Sequence, residues 1–263
     1  MALKKYLDTY GIQLKNNFVR EVIYRSNFIT TVLVDAIWIA VEFALFHIIY
    51  ANVETLGGWT KPQVYFFLGI FFASDAIFST LFSVSFWRFS DLVNKGDLDI
   101  ILTKPIHPLF LIFTRWTSFT TVFNILMGLA IVVRYAGPAG FTGGWKWFLL
   151  PLWLIVGVVI AFLLRFAFSI WCFWTERGWA LVRLYLEFFQ IATKPDTIYP
   201  AFIRYTFMTL LPFAFIGSVP ARALLQGLHP LEYLQLAAVL IGFFTFDALA
   251  WRAGLRRYQS ASS

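Results

Sequence analysis

Apolar runs of membrane length constrain this chain more than any other feature. Residues 28–50, 64–87, 111–134, 147–172, 178–193 and 232–252 are dominated by Phe, Leu, Ile, Val, Ala and Trp. Several exceed the ~18–20 residues that cross a ~30 Å hydrocarbon core. In lipid the backbone has to satisfy its own hydrogen bonds, which leaves helices or a closed barrel. The runs are continuous rather than alternating, so helices are expected. The remaining composition agrees: 60% of residues are hydrophobic, 20% aromatic and 13% charged, against about 25% charged in a soluble domain. The expected fold is an all-α membrane protein, one transmembrane domain over residues 1–263, with six crossings.

Two segments need separate treatment. Residues 1–27 hold Lys4, Lys5, Lys15, Arg20 and Arg25 without a compact apolar core, unlike a signal peptide. Leu3, Tyr6, Leu7, Tyr10, Leu14, Phe18 and Val22 recur at helical spacing, so an amphipathic helix lying in the interface is expected there. Residues 194–231, broken by Pro195, Pro200, Pro212 and Pro220, read as an outer re-entrant helical segment before the sixth span. An alternative lays 178–193 on the inner face and makes 201–218 the fifth crossing. Either way both termini fall on one side.

Basic residues orient the spans. One face takes the N-terminal five with Arg88, Lys95, Lys104, Arg177, Arg252, Arg256 and Arg257. The other takes Lys61, Arg134, Lys146, Lys194, Arg204 and Arg222, so the balance is twelve against six. The richer face is cytoplasmic by the positive-inside rule. Trp and Tyr near the span ends, Trp87, Trp116 and Trp179 among them, read as interfacial anchors.

The connection 87–110, WRFSDLVNKGDLDIILTKPIHPLF, therefore faces the cytoplasm. Gly96 is expected to end the helix continuing from the second span, and Asp97 to cap a new short helix. Leu98, Ile101 and Leu102 can share a face of that helix. Lys104 complements its C-terminal end, and Pro105 stops it.

Charges within spans cost roughly 2.5–3.5 kcal/mol each on insertion scales, so each needs a role. Asp35 and Glu42 lie seven residues apart in the first span, on nearly one face, and Asp75 lies midway along the second. They are the residues of a candidate substrate path for a cationic or amphipathic cargo. The competing reading pairs the acids with Arg165 and Arg183, or with another chain. Arg183 and Glu187 are spaced for a local i, i+4 pair, and Asp247 lies in the sixth span. There is no GxxxxGK[ST], HExxH or GxSxG, and Cys172 is the single cysteine. No metal site and no catalytic residue are expected in this chain.

The sequence resembles the permease subunits of ABC-2-type exporters, in particular a branch of small six-span permeases, over nearly its whole length. The resemblance rests on the amphipathic start, on KGDLDIILTKPIHPLF after the second span, and on Phe173 and Trp174 at the inner end of the fourth. It rests also on TIYPAFIRYTFMTLLPFAFIGSVPARALL with its IYP, LPFAF and VPA punctuation. It implies that the loop 88–110 is a coupling helix seated on a separate ABC ATPase subunit, with Asp97, Leu98, Asp99, Ile101, Leu102, Lys104 and Pro105 as contacts. It implies a bacterial-type cytoplasmic membrane, ATP and Mg used by that partner rather than bound here, and a second permease, often a related but different chain. Outside that resemblance, an ion-coupled secondary transporter built on the intramembrane acids, or a membrane assembly scaffold, stays open. The substrate is not legible in the sequence.

Overall fold

A computed structural model describes residues 2–23, 25–175 and 178–258. Arg177, and the side chains of Val22, Arg25 and Trp179, lie outside the described residues.

The chain begins with helices α1 (Ala2–Ile23) and α2 (Arg25–Ile49). Next comes a two-stranded antiparallel hairpin, Thr55–Leu56 with Trp59–Thr60. Gly57 and Gly58, with φ of 58° and 83°, form its two-residue turn, a backbone that the right-handed strand twist favours and glycine adopts at little cost. Helix α3 (Lys61–Phe78) continues through a π-turn at Ser79–Ser83 into α4 (Val84–Asn94). The loop carries α5 (Leu98–Leu102) and leads to α6 (Pro108–Thr114) and α7 (Val122–Ala136). A 3-10 turn at Gly144–Phe148 precedes α8 (Leu149–Ser169), followed by α9 (Gly178–Ile191). The short pieces Asp196–Ile198, α10 (Ala201–Met208), Phe213–Ile216 and α11 (Ser218–Leu225) lead to α12 (Pro230–Arg257).

Among the described residues, four helical stretches are long and apolar enough to cross a membrane: Phe28–Ile49, Lys61–Asn94, Gly144–Phe173 and Pro230–Arg257. They match the expected first, second, fourth and sixth spans. The expected third span, 111–134, is not one continuous helix. It is two helices, α6 and α7, separated by a non-helical stretch at Arg115–Thr121. The fifth, α9, has 14 residues, about 21 Å at ~1.5 Å per residue, short for a crossing. Residues 201–218 are not one helix either, because the chain breaks between Met208 and Phe213.

The break in the third segment answers the π-turn in the second. A π-turn displaces backbone groups from the regular ladder. Here the Thr80 carbonyl accepts from the Ser118 N–H at 2.9 Å, and the Thr80 and Thr121 hydroxyls meet at 2.8 Å. Ser85 Oγ donates to the Phe113 carbonyl at 3.3 Å. Helix α1 meets the other side of the break: Asn17 Nδ2 donates to the Arg115 carbonyl at 3.0 Å, and Glu21 accepts from the Phe119 N–H at 2.9 Å. The expected single apolar stripe of α1 is therefore divided. Tyr6, Tyr10 and Leu14 turn towards the protein, whereas Leu3, Leu7 and Phe18 are exposed.

Helix α3 is the most deeply buried of the long helices, and α2 and α12 are the least. Two glycines let α3 and α7 touch backbone to backbone. A Cβ on Gly69 would stand 2.8 Å from the Val132 nitrogen, and one on Gly128 2.6 Å from the Ala73 nitrogen. Small residues serve this purpose in membranes, where association depends on close packing rather than on the expulsion of water. Gly128→Ala should therefore destabilise the detergent-solubilised chain by about 1–3 kcal/mol, read as a lower thermal midpoint. Gly242→Ala, where nothing stands within 4 Å of the added methyl, should leave it unchanged. Equal melting of the two variants would refute the packing argument.

Candidate functional site

Two regions hold the residues expected to act. The first is the loop. Gly96 has φ of 79° and ends α4, as expected. Asp97 sits at the cap position of α5, but its backbone is helical and its side chain makes no capping hydrogen bond, which corrects the expected cap. The apolar residues divide by face. Leu98 and Ile101, 0% and 4% exposed, anchor α5 in the core, whereas Leu102 is 37% exposed. Ile100, which the sequence reading did not single out, is 62% exposed and is the outermost apolar residue of the loop helix. Asp97, Lys104 and Pro105 are exposed and Asp99 is half-buried.

Both ends of the described chain grip this loop. Lys5 Nζ donates to the Pro105 carbonyl at 3.0 Å, and the His107 N–H donates to the Tyr6 hydroxyl at 3.2 Å. At the other end Tyr258 lies beside Asp99, and its ring meets Phe173 edge-on at 6.2 Å. Burial first, then the negative charge of Asp99, raises the Tyr258 phenol above its usual value, so it stays neutral at physiological pH. Phe173 in turn fills the space that a side chain at Gly254 would need.

The second region is the polar interior. Asp35 and Asp75, from different spans, line one cavity of about 150 Å³ together with Ser79, Thr121, Asn124 and Gln190. Asn124 Nδ2 donates to Asp35 Oδ2 at 2.5 Å. That volume takes several waters but falls short of the ~300 Å³ at which small-molecule pockets begin. Glu42 is not in the cavity. It is buried and paired with Lys194 at 3.0 Å, and Thr193 Oγ1 donates to it at 3.4 Å. Of the three path residues, two are brought together and the third is neutralised elsewhere.

Among the described residues, Arg165 forms no ion pair. Its guanidinium lies among the rings of Trp87 (5.2 Å), Tyr185 (5.5 Å), Phe86 (5.6 Å) and Phe78 (5.7 Å). It is close enough to Asp75 for the two charges to interact, while its Nε and Nη2 have no hydrogen-bond partner. Aromatic faces attract a desolvated cation. Arg183 and Glu187 are both exposed on α9 and form no ion pair with one another, so the expected local pair is corrected. Asp247 is buried, and among the described residues neither of its oxygens has a hydrogen-bond partner.

A charge network missed in the sequence closes the end of the bundle opposite the loop. Asp196, 2% exposed, pairs with Arg222 at 2.8 Å and Arg204 at 3.1 Å. Arg222 reaches on to Glu232 at 2.8 Å, and Ser218 Oγ accepts from the Asp196 N–H at 3.0 Å. Thr197 links to the hairpin, accepting from Trp59 Nε1 at 2.9 Å and donating to the Gly57 carbonyl at 2.7 Å. The signal available in sequence was the run KPDTIYP followed by Arg204, Arg222 and Glu232. Pairing them requires the chain to fold back through the LPFAF stretch, whose Phe213, Ala214 and Phe215 are buried.

The model of the ABC-2 family transporter proteins matches residues 36–262. The chain belongs to the ABC-2 transporter family. A comparison with curated proteins finds no match. Membership makes this a membrane transport component, the permease type of an ABC transporter, and not itself a catalyst. The matched stretch takes in the loop and Asp75 of this ABC-2 permease, and begins one residue after Asp35.

Asp196→Asn removes one charge from a buried network and leaves Arg222 under-compensated, a loss of about 3 kcal/mol. Hydrogen exchange should quicken over 196–232 while 61–78 keeps its protection. Unchanged exchange over 196–232 would show that the network does not hold this segment.

Proposed function

We propose that this chain is the membrane-spanning permease subunit of an ATP-driven ABC-2 exporter, forming half of the translocation pathway. A separate ABC ATPase drives it through the loop 88–110. The observation that carries this reading is the construction of α5. Leu98 and Ile101 root it in the bundle core, while Ile100, Leu102 and Lys104 stand outside. A rooted helix transmits a push from an external protein into the bundle, whereas a solvated loop would absorb it. ATP and Mg belong to that partner, and a second permease, most simply a related chain, would complete the pathway.

Six crossings remain the preferred topology, with the α6–α7 pair as the third, α9 as the fifth and 194–231 as an outer re-entrant segment. Lys5 and Tyr258 both contact the loop, which supports an even number of crossings. The positive-inside balance puts that end in the cytoplasm of a bacterial-type inner membrane. Asp35 and Asp75 are the better candidates for contact with a cationic cargo, because they share a cavity. Glu42 serves chiefly to hold Lys194. The cavity has to widen for cargo to pass, and the paired π-turn and break beside it are irregular backbone available for that movement.

Replacing Ile100 and Leu102 together with Asp should release the ATPase on affinity purification of the complex while the permease still melts normally. Leu98→Ala should instead lower its stability, by about 2–4 kcal/mol. Retention of the ATPase and full transport by the double variant would refute the coupling assignment. For the pathway, Asp35→Asn and Asp75→Asn should change cation-stimulated ATP hydrolysis in the assembled complex, and Glu42→Gln should reduce yield. Loss of yield alone in all three would make the acids structural.

A further inference from the structure

Beside the loop lies a basic site that the transport reading does not use. Three arginines from three segments converge on one indole. Arg88 of α4 stands 3.9 Å from the Trp116 ring centre, Arg20 of α1 4.7 Å, and Arg115 of the break 5.4 Å. None of the three is in an ion pair among the described residues. An open cavity of about 550 Å³ adjoins them, lined by Arg88, Lys95, Arg115 and Trp116 together with the loop's Asp97 and Ile100. Its acids are Asp91, which lies near Arg88 but takes its ion pair from Lys95 at 3.3 Å, and Asp97. With Arg20 added, cations outnumber acids four to two around this space.

Gathering guanidiniums without counter-charges is unfavourable unless an anion completes the group, and guanidinium suits phosphate oxygens because it donates through a planar fork. The surroundings fix the depth. Phe18, Val19 and Ile23 of α1, next to Arg20, and Trp87, next to Arg88, are exposed, an apolar and aromatic surface of the kind that lies at headgroup level. We propose that the cluster of Arg20, Arg88 and Arg115 around Trp116 binds the phosphate of an anionic phospholipid headgroup, seated against the loop helix α5. A lipid held there touches the same loop that is expected to receive the ATPase, so the lipid composition of that leaflet would set how firmly the loop is held.

The test uses the full-length chain in detergent, titrated with phosphatidylglycerol or phosphatidylcholine, with bound lipid counted by native mass spectrometry. A parallel titration uses inorganic phosphate. Wild type should retain phosphatidylglycerol in preference to phosphatidylcholine. Arg88→Gln with Arg115→Gln should weaken that binding roughly 10- to 30-fold, at about 1 kcal/mol for each basic residue at an anionic surface. Lys4→Gln with Lys15→Gln removes the same charge away from the cluster and should leave binding intact. Arg88→Lys with Arg115→Lys keeps the charge, guards against a folding defect, and should retain most of the binding. Equal binding of the two lipids, or equal losses in both Gln pairs, overturns the proposal. Cluster-dependent binding of inorganic phosphate without phosphatidylglycerol also overturns it, by giving the site to a free phosphate. So does a Gln pair that keeps its lipid but loses the ATPase from the purified complex, since the cluster would then read an acidic protein surface.

Discussion

Every polar backbone group displaced within the apolar layer has to find a partner inside the protein, and that constraint organises this structure. The chain places two irregularities in neighbouring segments, the π-turn at Ser79–Ser83 and the break at Arg115–Thr121. Alone, each would strand donors and acceptors in lipid at several kcal/mol apiece. Opposed, they satisfy one another through Thr80, Ser118 and Thr121, and α1 supplies Asn17 and Glu21 to the groups left over. The N-terminal helix is thus part of the bundle's hydrogen bonding as well as a surface feature. The cavity shared by Asp35 and Asp75 includes Ser79 and Thr121, so the polar interior of the permease opens where the backbone departs from the helix.

The two ends of the bundle are built differently. The contacts that α1, Phe173 and Tyr258 make around the loop are neutral or involve single charges: a lysine on a carbonyl, a phenol beside a carboxylate, Phe173 against Gly254. At the opposite end, Asp196, Arg222, Arg204 and Glu232 form a connected charge network, and Glu42 with Lys194 ties α2 to the same region. Buried networks of that kind resist partial opening, because breaking one pair leaves its partner's charge uncompensated. One end held by ions is the arrangement that the proposed drive from the loop side would need. The mid-bundle charge of Arg165, caged by rings near Asp75, sits between the two ends.

Much of this was written in the linear chain. The lengths of the apolar runs fixed an all-α membrane class and four of the spans, because crossing lipid depends on local composition and helix rise. Gly96 and Pro105 marked the loop helix, since positive φ and a missing donor act on neighbouring residues only. The order of KGDLDIILTKPIHPLF and the later proline-punctuated stretch carried the family.

Tertiary structure alone decided which charges meet. Glu42 finds Lys194 across 152 residues, and Asp35 joins Asp75 because their helices pack side by side, not because of any spacing in sequence. It decided that the third apolar run breaks, since a non-helical stretch is tolerated only where a π-turn and α1 stand ready to bond it. It decided that Ile100 faces outward while Leu98 and Ile101 face in. A five-residue helix carries too little periodicity to show its buried side until the core beneath it is known. Local physics set what each segment is; long-range packing set what its side chains touch.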